Sequence, residues 1–137
     1  MARFALVLSF VLLVAAGAAS AATPAAYKAT VNGICRSYTP QLKAAAAKQG
    51  GIQEVLQLRV AQNRKIAVVA VPAALRAQMT PILAKLKLVS VQSAKGIKAF
   101  DNGDEETLTN ATNAIATLLK SLAPQLTAAG LRDCVQR

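Results

Sequence analysis

The chain has 137 residues, with 16 Lys and Arg against 6 Asp and Glu, and a formal net charge of +10 at pH 7. It contains no histidine and no tryptophan, which excludes the usual general base at neutral pH and the commonest protein ligand of transition metals. The length suits one domain with a single hydrophobic core, and the positive charge favours anionic partners.

The N-terminus has the three-part layout of a secretory signal peptide. Arg3 precedes an apolar run from Phe4 to about Ala16, and Ala19-Ser20-Ala21 forms an A-x-A cleavage site. We expect cleavage after Ala21, with Ala18 as the alternative position and an uncleaved membrane anchor as the alternative to export. The sequence thus predicts a signal peptide at residues 1–21 and a secreted protein, extracellular or associated with the cell envelope.

Residues 22–137 are expected to form a single domain. Because Arg3 is the only charged residue of the signal, this domain keeps 15 basic and 6 acidic residues, a net charge of +9. It also contains both cysteines, Cys35 and Cys134. In an exported chain two cysteines allow one intramolecular pairing, here closing a loop of about 100 residues. The alternative is two separate buried thiols.

The C-terminal cysteine follows a helix stop. Gly130 is typical of a residue that ends a helix in the left-handed conformation. We expect Leu131 to fold back onto that helix and Cys134 to tie the tail to the first helix.

The first helical segment begins at Thr23-Pro24, an N-cap followed by a proline in the first turn, and ends at Gly50-Gly51. Its apolar residues recur in steps of three and four: Tyr27, Val31, Ile34, Tyr38, Leu42 and Ala45. This phase passes unbroken through Pro40, so one helix kinked at that proline is predicted.

The second segment, Ile52 to Val71, admits two interpretations. A helical face would contain Ile52, Leu56, Val60 and Ala67. The alternation of apolar and polar residues around Leu58 also fits a hairpin that turns at residues 62–65. Two strands without a third are poorly stable, so we predict a helix that ends before Pro72.

Two further amphipathic segments complete the domain. Segment three runs from about Pro72 to Phe100, with a kink or restart at Thr80-Pro81, and segment four runs from about Glu105 to Ala129. Their apolar stripes contain Leu75, Met79, Ile82, Leu86, Val89, Ile97 and Phe100, then Leu108, Ile115, Leu118, Leu119, Leu122 and Leu126. The predicted fold class is all-α, an up-down four-helix bundle with proline kinks and one disulfide.

The turn between these segments, "DNGDEE", is the only place where carboxylates crowd. Asp101, Asp104, Glu105 and Glu106 could hold a hard cation, but the spacing does not match a calcium loop. Acids in the first turn of a helix are also favoured by the helix dipole. We therefore predict capping of helix four, with no metal and no cofactor.

Basic residues line the third segment. Arg76, Lys87 and Lys98 are spaced by eleven residues, which is three helical turns. Lys85 and Lys95 are expected farther round the same outward half, and Leu88 and Val91 fall between the cations. Such a face could lie against a membrane surface or an acidic polymer. The alternative is a solvated face, with Leu88 and Val91 packed against a neighbouring helix.

Catalysis and specific nucleic-acid binding are not expected. If the cysteines are bridged, no thiolate nucleophile remains, and no motif places a serine beside a lysine. Arg64 and Lys65 add positive charge to the second segment, but the aromatic residues that interleave with basic ones in nucleic-acid sites are missing.

The segments "NGICRSY", "AFDNGD" and "LTAAGLRDC", together with the signal peptide and the mid-chain proline break, resemble small exported bacterial helical proteins. In those proteins one early and one near-terminal cysteine recur. The resemblance covers about residues 27–135 and implies an α-helical bundle and export. No activity and no functional residue can be carried over. Many such proteins have a lipid-attachment cysteine, which this chain lacks.

These observations predict a secreted, monomeric, non-catalytic helical protein. Its expected partner is an anionic component of the cell envelope or cell surface, bound through Arg76, Lys85, Lys87, Lys95 and Lys98. The alternative function is a protein-partner module, an inhibitor or assembly factor, that uses the apolar surface at Leu88 and Val91.

Overall fold

The computed structural model describes residues 22–135. The predicted signal peptide and its cleavage site lie outside the described residues. Four helices follow one another: α1 Pro24–Ala46, α2 Ile52–Ala67, α3 Arg76–Asp101 and α4 Glu105–Ala128. Single 3₁₀ turns stand before α3, at Ala73–Leu75, and after α4, at Arg132–Cys134. Residues 22–135 contain no strand, so the predicted all-α four-helix fold is confirmed.

Helix α1 begins where the sequence predicts. The Thr23 hydroxyl accepts a hydrogen bond of 3.1 Å from the Ala26 N–H, and Pro24 occupies the first turn. The helix continues through Pro40 as one element. Its buried residues are Tyr27, Val31, Cys35, Tyr38, Leu42 and Ala45. The predicted stripe is therefore confirmed except that Ile34 is only half-buried, with Cys35 in its place.

Interior prolines occur in three of the helices, and all of them face solvent. They are Pro40, Pro81 and Pro124. A proline removes the hydrogen bond to the carbonyl four residues earlier. Those carbonyls belong to exposed residues, Arg36, Ala77 and Lys120, so water can satisfy them. The helices continue through the prolines because the missing backbone hydrogen bonds lie on the solvent-exposed side of each helix.

Helix α2 confirms the helical interpretation of the second segment, and the hairpin alternative is wrong. The helix ends at Ala67, and the next residue, Val68, is 80% exposed. Residues 68–71, which belong to the predicted segment, therefore lie outside the helix.

The buried side of α2 differs from the predicted face. Leu56 is buried as expected, but Ala67 is exposed, and Gln62, Asn63 and Ile66 are buried. The reason is that α2 packs against α1 on one side and α3 on the other. A helix between two neighbours buries more of its circumference than a single apolar stripe.

Small residues let α3 approach its neighbours closely. Ser93, Gly96 and Ala99 are buried, whereas Phe100, predicted to lie in the core stripe, is 38% exposed. A Cβ atom at Gly96 would lie 2.9 Å from the Leu56 Cδ1 and 3.5 Å from the Ala111 Cβ. The backbone of α3 therefore reaches both α2 and α4, and no space is left there for an aromatic ring.

Glycines end α3 and α4 in the same way. Gly103 and Gly130 have φ angles of 68° and 75°. After α4, the Leu131 N–H donates to the Leu126 carbonyl at 2.8 Å, and the Gly130 N–H donates to the Thr127 carbonyl at 3.0 Å. This is the Schellman pattern, and the side chains of Leu131 and Leu126 are both buried. The predicted cap and fold-back are confirmed.

The C-terminal tail is then fixed to α1. Cys35 and Cys134 form the predicted disulfide, with their Cα atoms 5.0 Å apart. One turn earlier on α1, the Asn32 amide donates to the Gly130 carbonyl at 3.0 Å and accepts from the Asp133 N–H at 3.2 Å. Arg36 adds an ion pair with Asp133 at 3.1 Å. We call this set of contacts the tail joint.

Reduction of the disulfide should lower the free energy of unfolding by about 4–5 kcal/mol, because the bridge spans 99 residues of sequence and removes loop entropy from the unfolded chain. The check is urea unfolding with and without reductant, with thiol titration to confirm reduction. An unchanged unfolding midpoint after both thiols have titrated would contradict it.

Two glycine-to-alanine variants should shift stability in opposite directions. G103A should destabilise the protein by about 1–2 kcal/mol, because alanine is strained at positive φ although the space around this Cα is open. G33A should stabilise it by about 0.5–1 kcal/mol, because Gly33 lies inside α1 with equally open space. Denaturant unfolding of both variants tests this pair, and shifts of the same sign would refute it.

Candidate anion-binding face

Four of the five predicted anion-binding residues lie exposed on α3. They are Arg76, Lys87, Lys95 and Lys98. Because α3 is one continuous helix, the eleven-residue spacing of Arg76, Lys87 and Lys98 places them within about 40° of one another around its axis. The predicted stripe therefore exists as a line of cations along the outward side of the helix.

Lys85 does not belong to this line. It lies two residues before Lys87, which places it about 160° away around the helix, and its side chain is half-buried. The expectation that it shares the outward half is wrong, because α3 is covered by α2 on one side and α4 on the other.

Two large apolar side chains are exposed among the cations. Leu88 is 50% exposed and Val91 is 54% exposed. Neither side chain is buried against a neighbouring helix, so that part of the solvated-face alternative is wrong. We define the α3 face by the residues Arg76, Lys87, Leu88, Val91, Lys95 and Lys98.

The positive charge of the α3 face is largely uncompensated. Within residues 22–135, the ion pairs are Arg36 with Asp133 and Lys48 with Glu54, and neither involves this face. Lys95 is near enough to Asp104 to contribute to the lowered pKa of that carboxyl. The remaining cations lie toward water.

The acidic turn caps α4, as predicted. The Asp104 carboxylate accepts a hydrogen bond of 2.9 Å from the Thr107 N–H, and Glu105 and Glu106 occupy the first turn. Hydrogen bonds from Thr107 are the main reason why the pKa of Asp104 lies below its ordinary value. Asp101 instead accepts a hydrogen bond from Gln53 at 2.6 Å. In residues 22–135 no three His, Cys, Asp or Glu side chains converge as metal ligands.

Three polar side chains on the covered side of α2, the buried Gln62 and Asn63 and the half-buried Arg59, were not predicted from the sequence. Arg59, Gln62 and Asn63 line a gap of about 20 Å³ between the helices, together with apolar side chains of all four. Burial lowers the pKa of the Arg59 guanidinium. The spacing of three and four residues within this group was a signal that one side of α2 carries polar residues, but not that this side is covered.

A groove on the outer side of α2 and α3 was also missed. It is open to solvent, has a volume of about 680 Å³ and is lined by residues of both helices, with Arg64 from α2 and Lys87 from α3 among them. We call it the α2–α3 groove. Its residues come from two separate segments, so no local motif predicts the groove. The sequence indicated only that Arg64 adds positive charge to the second segment.

Comparison of the chain with protein-family models, with curated proteins and with solved structures found no match. Among the helices of residues 22–135, none combines the length and the apolar character that crossing a bilayer requires.

The Asp104 cap should make stability depend on pH. Its folded-state pKa lies below the ordinary value of 3.8, so its contribution is fully present above that value and is lost as the pH falls through the folded pKa. D104A should melt at a lower temperature than the natural protein at neutral pH, and this difference should shrink in acid. Thermal melts of both proteins down a pH series test this, and a difference that stays constant into acid would contradict it.

Proposed function

We propose that this is a secreted, non-catalytic protein that binds an anionic component of the cell envelope or cell surface through the α3 face. The observation that carries the proposal is the exposure of Leu88 and Val91 among four exposed cations that have no salt bridge within residues 22–135. Leu88 and Val91 lie one helical turn apart, so the two exposed side chains form one apolar patch beside the cations.

The length of the cation line favours an extended partner. Arg76 and Lys98 are 22 residues apart on one helix, which corresponds to about 33 Å. A single small anion cannot contact both. A surface or polymer with repeated negative charges can, and each basic side chain near an anionic lipid surface contributes about 1 kcal/mol.

The apolar residues distinguish a membrane from a soluble polymer. Leu88 and Val91 could insert between lipid headgroups and gain the free energy of burial, up to about 1.5–3 kcal/mol for a side chain that passes from full exposure to full burial. A hydrated polymer offers no such environment. Substitution of both residues by glutamine should therefore weaken binding to vesicles and leave binding to a soluble polyanion unchanged.

The test uses vesicles that contain phosphatidylglycerol and, separately, soluble polyglutamate. R76Q/K98Q should weaken binding by about thirtyfold, the equivalent of two lost cations. The matched control is K43Q/K120Q, which removes the same charge from exposed positions on α1 and α4 and should weaken binding much less.

Binding should also fall when salt is raised from about 0.1 M to about 1 M, because the screening length shrinks from about 10 Å to about 3 Å. Affinity that does not change with salt, or equal losses in the two double variants, would overturn the proposal. Binding to one anionic probe and not the other identifies the class of partner.

The exposure of Leu88 and Val91 also supports a second candidate, a protein-partner module such as an inhibitor or assembly factor. Capture of one specific protein that persists at high salt and is lost in L88Q/V91Q would favour this function. If the same complex is lost in R76Q/K98Q, its formation depends on the cations of the α3 face, and the first proposal is favoured instead.

A further inference from the structure

We propose that the α2–α3 groove binds a free single-chain amphiphile with an acidic headgroup, of the fatty-acid class. This inference goes beyond the proposed function, because it concerns a different surface. Only Lys87 belongs to both the groove and the α3 face. The groove encloses about 680 Å³, which lies within the range of roughly 300–1,000 Å³ that is usual for small-molecule sites.

The sides of the groove are apolar. Val60 and Ala67 line it from α2, and Leu83 and Ala84 line it from α3. Val60 and Leu83 are half-buried, and the two alanines are exposed. Apolar surface of this kind is stabilised when an alkyl chain displaces water from it.

The uncharged donors of the groove, the Asn63 amide and the Ser90 hydroxyl, already bond to the protein. The Asn63 amide donates to the Leu86 carbonyl at 3.0 Å and to the Ser90 hydroxyl at 3.1 Å. The Ser90 hydroxyl in turn donates to the Leu86 carbonyl at 3.2 Å. The two bonds from Asn63 join α2 to α3 along the groove, and the bond from Ser90 lies within α3. Because the donors are occupied, the enclosed part of a ligand does not need to supply polar atoms there.

The charge of the groove selects an anionic headgroup. Arg64 and Lys87 are exposed, one on each helix, and no acidic residue lines the groove. Neither cation takes part in a salt bridge within residues 22–135. A second copy of this chain, with its own formal net charge of +10, would bring like charge to these residues and is disfavoured as the occupant.

The length of the groove favours an alkyl chain over an acidic peptide. The lining residues of α2 span 60 to 67 and those of α3 span 83 to 90, about 10 Å of helix axis in each case. An isolated peptide helix needs about 12–15 residues, or roughly 20 Å, even to be marginally stable. An alkyl chain has no secondary structure to form, so it can lie in the shorter groove along part of its length, with the rest outside.

The first experiment measures binding of laurate and of lauryl alcohol to the purified protein by titration calorimetry, with the N-terminus determined by mass spectrometry. Laurate should bind more tightly than the neutral alcohol, by about tenfold, because the acid alone can form charge-assisted hydrogen bonds with the two cations. R64Q should remove most of this difference. Equal affinity for the acid and the alcohol would overturn the proposal.

The second experiment blocks the groove. A84F places a ring in the groove, and A94F places the same ring on α3 at an exposed position outside the groove lining. A84F should lower laurate affinity by at least about tenfold, and A94F should leave it unchanged. Both alanines are exposed, so both variants should fold, which circular dichroism and thermal melts verify. Equal laurate affinity in the two variants would overturn the proposal.

The two proposals fail separately. R76Q/K98Q should weaken vesicle binding without affecting laurate. A67F, which places a ring in the groove from α2, should weaken laurate binding without affecting vesicles. If A67F weakens vesicle binding as strongly as laurate binding, the groove takes membrane lipid, and the assignment to a free amphiphile is wrong. Binding of an acidic amphipathic peptide in preference to laurate would also refute it.

Discussion

A disulfide and an asparagine join α1 to the tail that follows α4, and this joint holds the first and last helices of residues 22–135 in one domain. Consecutive helices pack as pairs, and the tail after α4 contacts both α1 and α4. The tail therefore closes the bundle where α1 would otherwise have α2 as its principal neighbour. Asn32 is the non-covalent part of this joint, because its amide group satisfies one carbonyl and one N–H of a backbone that has left its helix.

This arrangement also decides which surfaces remain open. Helices α2 and α3 each lie between two neighbours, so each keeps one outward side. On α3 that side carries the cations with Leu88 and Val91 among them, and where the outward sides of α2 and α3 meet they form the groove. The two proposed sites are therefore adjacent and share Lys87, yet they differ in shape: one is an exposed line of charge and the other is an apolar recess.

Local signals were enough to predict the elements, but not their contacts. The predicted start of α1 at Thr23-Pro24 and the predicted end of α4 at Gly130 were correct, because a cap depends on a few neighbouring residues. The predicted disulfide between Cys35 and Cys134 was correct because two cysteines can pair in only one way. The prediction that Phe100 lies in the core was wrong, because the close approach of α3 to α4 depends on Gly96 and on the residues that face it from other helices. The α2–α3 groove was missed for the same reason, because its residues come from two helices. Lys85 is different: the helical period already places it about 160° from Lys87, so its position was predictable.

The position of the disulfide has a consequence for how the chain tolerates cleavage. Cys35 lies in the first helix and Cys134 lies after the last. A protease that cuts once at any peptide bond between them, including those around the exposed Val68, leaves two fragments that are still covalently linked. Neither fragment can diffuse away until the bridge is reduced, so a single nick yields a two-chain molecule of nearly unchanged mass.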